Sequence, residues 1–199
     1  MAVEELIEIS SPALAPRMVD YDKVPSRLHP LLDVKNGFYA FESALFVRPW
    51  GGGVGSAEWW NAEDGWRTAY GESANGLTFF AEDVFGFQFA VDDERFYMFD
   101  PETAELDPVA ASSGEWADCI LEEFDELTGY SVAHLWQSLN GPLRCGFRLT
   151  PAVPFFLGGE FKAEALKEKR DLDVARMRAH VYTQTKDLPD GSQVKITLI

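Results

Sequence analysis

LTFFAEDVFGFQFAVDDERFYMF, residues 77–99, is the stretch that decides the fold class of this chain. Aromatic and aliphatic residues dominate three short runs within it, 77–81, 86–91 and 95–99, and such residues favour β-strands. The polar sequence Asp92-Asp93-Glu94 separates the last two runs and predicts the turn of a hairpin. The centre of the chain is therefore predicted to form antiparallel strands.

Further strands are predicted on both sides of this stretch. Apolar residues alternate over 37–48, which predicts a strand before it. Residues 106–110 predict a strand after it, and Pro108 indicates that this strand lies at a sheet edge or contains a bulge. Residues 194–199 predict a closing strand that follows a turn.

Helical patterns lie before and after the central strands. Their apolar residues recur at helical spacing, and serine, asparagine and glycine residues stand where helices begin and end. The predicted helices cover residues 24–36, a short segment capped by Ser56, 113–127, 131–139 and a polar segment at 161–169. The pattern at 172–186 is compatible with either a helix or a strand.

Strands at the centre with helices on both sides predict an α+β fold, in which flanking helices pack on a mostly antiparallel central sheet. The first 24 residues carry little pattern. We therefore expect residues 1–24 to be a weakly structured N-terminal extension and residues 25–199 to be a single domain.

Negative charge is concentrated in one part of the chain. Residues 58–126 hold 19 acidic and only 2 basic residues, a net charge of −17, whereas the whole chain carries −16. The same segment is rich in aromatic residues, which indicates a folded anionic face rather than a disordered acidic tail. Such a face repels nucleic acid and anionic membranes and attracts basic surfaces.

Composition excludes several other classes. No apolar run approaches the roughly 18 residues that cross a bilayer. The first five residues lack the basic and apolar regions of a signal peptide, so we expect a cytoplasmic protein without membrane contact. Two cysteines, Cys119 and Cys145, are too few for a disulfide framework and are expected to remain thiols.

The residue patterns of common active sites are absent from the sequence. The glycine-rich segment 51–55 lacks the lysine and hydroxyl residue of a phosphate-binding loop. The three histidines are scattered, and no nucleophile elbow occurs. Adjacent carboxylates such as Glu82-Asp83 and Glu122-Glu123 are candidates for acid–base work, but Asp83 better fits a role in holding a turn. We therefore predict no catalytic residue, no metal site and no cofactor.

A series of motifs resembles the SUKH superfamily, which includes bacterial immunity proteins of polymorphic toxin systems and a fungal cell-wall-assembly regulator. The resemblance runs from about residue 25 to the end of the chain. Its motifs, in order, are Asn36-Gly37-Phe38, Trp59 with Trp66 and Tyr70, Phe79 to Phe89, Phe99-Asp100-Pro101-Glu102-Thr103, Glu115-Trp116, Pro142 to Leu149, Pro154 to Phe161 and Asp187 to Gly191.

The resemblance implies an α+β protein that is not an enzyme. Immunity proteins of this kind bind and block a cognate toxin, and many such toxins act on nucleic acid and carry a basic groove. An acidic inhibitor can occupy such a groove and is steered towards it. A regulatory or scaffolding module without a toxin partner is the alternative. An enzyme that uses its carboxylates is a third possibility, which would require a concave pocket with perturbed carboxyl groups.

If a basic protein toxin is the partner, exposed acids beside aromatic residues are the expected contacts, with one tryptophan as an anchor. For the tryptophans, packing in the core is the competing interpretation. The predicted partner-binding residues are Glu58, Trp59, Trp60, Glu63, Asp64, Asp92, Asp93 and Glu94.

Overall fold

A six-stranded antiparallel sheet forms the centre of the computed structural model, which describes residues 2–18, 20–189 and 191–193. Each strand pairs with the next one along the chain, so the sheet is a meander. The strands are β1 (Phe38–Ala40), β2 (Leu45–Val47), β3 (Thr78–Glu82), β4 (Gln88–Val91), β5 (Phe96–Phe99) and β6 (Leu106–Ala110). The predicted hairpin is confirmed as β4–β5, and the α+β fold class is confirmed.

The edge strand β6 behaves as Pro108 predicts. Phe96 pairs with Ala110 but Tyr97 pairs with Pro108, so the register shifts and Val109 is an extra residue in β6. A proline lacks the N–H that a central strand needs, and an edge position with a bulge tolerates it.

One face of the sheet is covered by helices α1 (Ala2–Glu8), α2 (His29–Leu32) and α4 (Ser113–Glu122). Trp116 of α4 packs edge-on against Phe80 and Phe89, with ring centroids 5.2 and 5.5 Å apart. The side chain of Ser112 caps α4 by accepting a hydrogen bond from the Glu115 amide at 3.2 Å. This helical layer therefore lies over β3 and β4, two of the strands predicted from the central aromatic runs.

The expectation of a weakly structured N-terminus is wrong for its first helix. Val3, Leu6 and Ile7 of α1 share one helix face and are buried in the core beneath α4. The Ser11 amide then donates to the Tyr39 carbonyl at 2.8 Å, which places the following segment along the outer edge of β1. A seven-residue helix gives too short a pattern to be distinguished from a loop, and only its tertiary packing stabilises it.

The opposite face of the sheet is covered by α7 (Asp171–Thr185), α3 (Ala57–Trp60) and a 3₁₀ segment, Trp66–Ala74, that is kinked at Gly71. Their aromatic side chains pack on Phe79 and Phe99 of the sheet. Residues 172–186, which the sequence left open between helix and strand, thus form most of helix α7.

A third layer closes one end of the sheet. It contains helices α5 (Phe124–Thr128) and α6 (Tyr130–Asn140) and a two-stranded antiparallel sheet of β7 (Phe147–Pro151) and β8 (Leu166–Arg170). Short 3₁₀ turns occur at Ser26–Leu28, Phe155–Leu157 and Ala163–Ala165. Within the described ranges, no helix has both the length and the apolar character needed to cross a membrane.

Three local predictions are wrong in detail. Residues 37–48 form the hairpin β1–β2 rather than one strand, because three consecutive residues, 41–43, adopt positive φ in the turn. The polar helix at 161–169 is a 3₁₀ turn followed by β8, whose pairing with β7 overrides its helical composition. The helix at 113–127 breaks at Glu123 into α4 and α5. The predicted strand at 194–199 lies outside the described residues.

Candidate interaction surface

The predicted anchor Trp60 lies in the core. It is 1% exposed, and its indole Nε1 donates to Gln88 Oε1 at 2.8 Å. Its neighbour Trp59 is half-buried against the same core cluster and retains exposed surface. Of the two tryptophans predicted as alternative anchors, Trp60 packs in the core and Trp59 is the one accessible to a partner.

Two of the predicted acids hold turns. Glu58 Oε1 accepts hydrogen bonds from the amides of Gly51 and Gly52 at 2.9 and 3.2 Å, and so fixes the glycine-rich loop. Asp92 Oδ1 accepts from the amides of Glu94 and Arg95 at 2.7 and 2.8 Å, and so closes the β4–β5 turn. These carboxylates are already used by the fold.

The remaining predicted acids are exposed but lie on two separate elements. Glu63 and Asp64 follow helix α3, and Asp93 and Glu94 form the tip of the β4–β5 hairpin. Each pair is free to meet a basic partner. The structure places neither pair in a concave surface with strong negative bias on all sides.

Such a surface exists elsewhere in the acidic segment. A groove of about 670 Å³ is open between β6, the α4–α5 junction and the loop after β3. We call it the acidic groove; its carboxylates are those of Asp83, Asp107, Glu123, Asp125 and Glu126, and its apolar lining includes Phe85, Phe87, Met98, Val109, Leu127, Val132 and Phe161. Among the residues that the structure describes, none that lines the groove is basic.

Local structure explains how the α-helical side of the groove is built. The helix break at Glu123 turns the chain so that α5 presents Asp125 and Glu126 to solvent. Asp125 Oδ1 also accepts from the Ser131 amide at 2.6 Å, which ties α5 to α6. Gly129 between them has φ of +71°, and a Cβ there would lie 2.3 Å from the ring of Phe85. The groove wall therefore depends on a glycine at this position.

Asp83 is the most buried carboxylate of the groove, with 4% of its surface exposed. Its Oδ1 accepts from the amides of Phe85 and Phe87 at 2.9 and 2.8 Å, which confirms its predicted role in the turn. Burial raises the pKa of Asp83 to about 7, against the opposing effects of Arg178, Arg148 and the backbone amides.

A network of buried charges lies behind the groove. Glu82 Oε1 lies 3.0 Å from Arg48 Nη2 and 2.8 Å from Arg148 Nε, and all three side chains are at most 1% exposed. Burial favours the protonated form of Glu82, but the two guanidinium groups outweigh it and hold its pKa below the usual value. Arg48 also contacts Asp171 at 3.1 Å and stacks 3.4 Å from the Trp60 ring centroid. This network joins elements of the fold and offers no open site.

Arg178 forms a separate buried pair. Its Nε lies 3.5 Å from Glu102, and its guanidinium lies 4.9 and 5.3 Å from the ring centroids of Phe87 and Phe155. Glu102 Oε2 also accepts from the Phe156 amide at 3.0 Å. No local pattern marks Arg48, Arg148 and Arg178 as buried, because arginine is normally an exposed residue.

A second concave surface, of about 770 Å³, lies around Trp59 on the far side of the network. Its charges are mixed, since Arg170 and Arg176 accompany Asp171 and Asp173. It therefore lacks the single sign of charge that distinguishes the acidic groove. Across residues 2–18, 20–189 and 191–193, no group of three or more histidine, cysteine and acidic residues is placed to hold a metal ion.

Comparison with known proteins adds a fold but no function. No family model matches the chain, and no curated protein matches it. The chain is similar to the solved structure of Atu4351 from Agrobacterium tumefaciens, with a TM-score of 0.55 and 11% sequence identity over 88% of this chain and 87% of that one. At this identity, the likeness demonstrates a shared fold alone.

Proposed function

We propose that this chain is a non-catalytic binding protein that neutralises a basic protein toxin, with the acidic groove as its main contact surface. The observation that carries the proposal is the negative charge of that groove: the described part of its lining has five carboxylates, an apolar floor and no basic residue. Low-dielectric walls strengthen the field of such a cluster and raise the rate at which a basic surface associates with it.

The same groove has one property that an enzyme would also need, a carboxyl group with a strongly raised pKa. Acid–base or nucleophilic catalysis requires further groups around it, such as a nucleophile with a base, or cations that stabilise developing negative charge. The described part of the lining supplies acids, apolar side chains and Cys119, whose thiol pKa is raised by burial. This composition favours binding of a cation over conversion of a substrate.

The proposal also explains why so many like charges are gathered at the junction of α4 and α5. Glu123, Asp125 and Glu126 are all exposed and repel one another across a short distance. Like charges that oppose one another in the free protein become favourable once a basic partner covers them. The exposed groove acids therefore suit a basic partner, while Asp125 also ties α5 to α6 within the fold.

The test co-expresses this chain with the protein encoded beside it in the genome and measures growth and complex formation. We expect the wild-type chain to restore growth, and the complex to weaken between about 0.1 and about 1 M NaCl, as the Debye length falls from about 10 Å to about 3 Å. The triple variant Glu123→Gln, Asp125→Asn, Glu126→Gln should lose at least about tenfold in affinity.

The matched control removes three exposed acids outside the acidic segment, with Glu5→Gln, Glu8→Gln and Asp187→Asn. This control removes the same number of negative charges as the groove variant. We expect its affinity for the partner to stay within about threefold of wild type. Equal loss in both triple variants would show that only the overall charge matters. A neighbour protein that is bound but not toxic would favour the scaffolding alternative and contradict neutralisation.

A further inference from the structure

We propose that the acidic groove takes the side chain of an arginine or lysine from the partner, and that Asp83 is the residue that selects it. The inference rests on the proposed function and names the chemical group that the groove recognises. Its basis is the combination of a groove with apolar walls and a buried carboxylate that, among the described residues, forms no ion pair within 4 Å.

The first step concerns the ion pairs of the interior. Arg148 is paired with Glu82, and Arg178 with Glu102. In the part of the chain that the structure describes, no ion pair within 4 Å forms at Asp83. Each neighbouring arginine thus has a closer acidic partner and acts on Asp83 at longer range, where it lowers the pKa of that carboxyl. A buried carboxylate without a direct ion pair is stabilised when a cation comes into contact with it.

The second step concerns access. Asp83 lines the acidic groove together with four exposed carboxylates that lie nearer to solvent. Phe85, Phe87 and Leu127 line the same groove with apolar surface. Phe161, which is 47% exposed, adds an aromatic face stacked on Phe155 with ring centroids 3.8 Å apart. A long side chain with an apolar stem and a cationic end matches these surfaces, because arginine and lysine bury their stems while the charge seeks an acid or an aromatic face.

The third step is a dependence on pH. Charged and titratable groups face Asp83 from each element packed around it: Arg178 on α7, Arg148 on β7, Asp107 on β6, Cys119 on α4, and Glu123, Asp125 and Glu126 at the α4–α5 junction. Burial raises the pKa of Asp83 to about 7. Protonation near neutral pH therefore removes the charge of Asp83, and the affinity for a cation should fall by up to about tenfold between about pH 8 and about pH 6.

The experiment titrates the full chain with three small probes and follows backbone amide resonances. The probes are n-pentylguanidinium, n-pentylammonium and the neutral n-pentylurea, which has nearly the same shape as the guanidinium probe. We expect both cations to shift the amides of Phe85, Phe87 and Gly129, and n-pentylurea to bind at least about fivefold more weakly. Binding of the cations should weaken as the pH falls.

Asp83→Asn tests the selecting residue, because asparagine keeps an oxygen that can accept from the amides of Phe85 and Phe87. We expect this variant to lose the pH dependence and several-fold of the affinity for the cations. Asp107→Asn, which removes an exposed groove acid, should keep the pH dependence. If Asp83→Asn does not fold, the pH titration of the wild-type chain with the charged and neutral probes still decides the question.

Equal binding of n-pentylurea and n-pentylguanidinium, cation binding at a different surface, or an affinity independent of pH would each overturn the inference. None of these three results contradicts the proposed function by itself. If the triple groove variant fails to neutralise the toxin while the wild-type chain succeeds, the groove is still the surface that binds the toxin. Conversely, absence of any neutralised partner would remove the proposed function, whereas the probe titration would still report whether the groove selects cations.

Discussion

At the scale of single residues, adjacent acids in this chain have opposite electrostatic environments. Glu82 and Asp83 follow one another and are both buried, yet the pKa of Glu82 is lowered and that of Asp83 is raised. Two arginines contact Glu82, whereas Asp83 receives only backbone hydrogen bonds within hydrogen-bond distance. Direct ion pairing, rather than burial alone, therefore decides which acid is charged in the folded chain.

The raised pKa of Asp83 predicts how the folding stability of the chain depends on pH. The folded state holds a proton at Asp83 up to about pH 7, whereas the unfolded chain releases it near 3.8, so stability should fall as the pH rises between these values. Each pH unit corresponds to about 1.4 kcal/mol, which gives a loss of about 2–3 kcal/mol between pH 5 and pH 7 from this group. Asp83→Asn should remove that loss.

Urea unfolding of wild type and Asp83→Asn at several pH values gives the free energy of unfolding of each protein. The effect of Asp83 is the difference between the two slopes of that free energy against pH. The variant should gain stability relative to wild type as the pH rises. Asp107→Asn, at an exposed groove acid, serves as the control and should follow the wild-type slope. Parallel curves for wild type and Asp83→Asn would mean that Asp83 is ionised throughout.

At the scale of elements, the sequence predicts those structures whose own residues carry the pattern. The aromatic runs of β3, β4 and β5 and the cap of α4 at Ser112 are local signals, and the structure confirms them. The strand β8 carries no such signal, since its residues Leu166–Arg170 are mostly polar and it exists by pairing with β7. Elements stabilised by distant partners remain beyond a local pattern.

At this scale we predict the effect of replacing Gly129, which joins α5 to α6 beneath a wall of the groove. Alanine there would adopt an unfavourable left-handed backbone and would also overlap the ring of Phe85 at 2.3 Å. We expect Gly129→Ala to cost about 1–2 kcal/mol for the backbone and a further 1–3 kcal/mol or so for the overlap. Thermal or urea unfolding measures the total.

The matched control is Gly76→Ala. Gly76 has φ of +74°, close to the +71° of Gly129, but no atom lies within 4 Å of the position of its Cβ. Its substitution should cost the backbone contribution alone, about 1–2 kcal/mol. If the two variants lose equal stability, the close approach of Gly129 to Phe85 is relieved by movement of the ring.

At the scale of the whole molecule, the candidate site unites segments that are far apart in sequence. Asp83, Asp107, the acids at 123–126 and Phe161 meet only because the meander and the third layer of helices bring them together. Charge counting identified the acidic segment that contains most of them. It selected the exposed turn acids at 63–64 and 93–94 as contacts, since nothing local distinguishes an acid in a groove from one on a turn.

The ion network around Glu82 is the basis of the last prediction, because it connects the central sheet, helix α7 and the third layer. Glu82 on β3 contacts Arg148 of β7 and Arg48 after β2, and Arg48 in turn contacts Asp171 at the start of α7. Removing the charge of Glu82 leaves two buried guanidinium groups with only Asp171 to balance them. Since breaking a buried pair at one partner leaves an uncompensated charge, Glu82→Gln should cost about 3–5 kcal/mol at neutral pH.

Glu168→Gln is the chemically identical control. Glu168 pairs with Arg144, whose side chain is 60% exposed, and exposed pairs of this kind contribute only about 0–1 kcal/mol. Because the pKa of Glu82 is lowered, its contribution should be complete above the unfolded value of 4.5 and should be lost as the pH falls through the folded value. Unfolding in urea at neutral pH and near pH 4 therefore tests both the size and the sign. A Glu82→Gln variant within 1 kcal/mol or so of the Glu168→Gln control at neutral pH would show that the layers are held together by apolar packing without help from the buried charges.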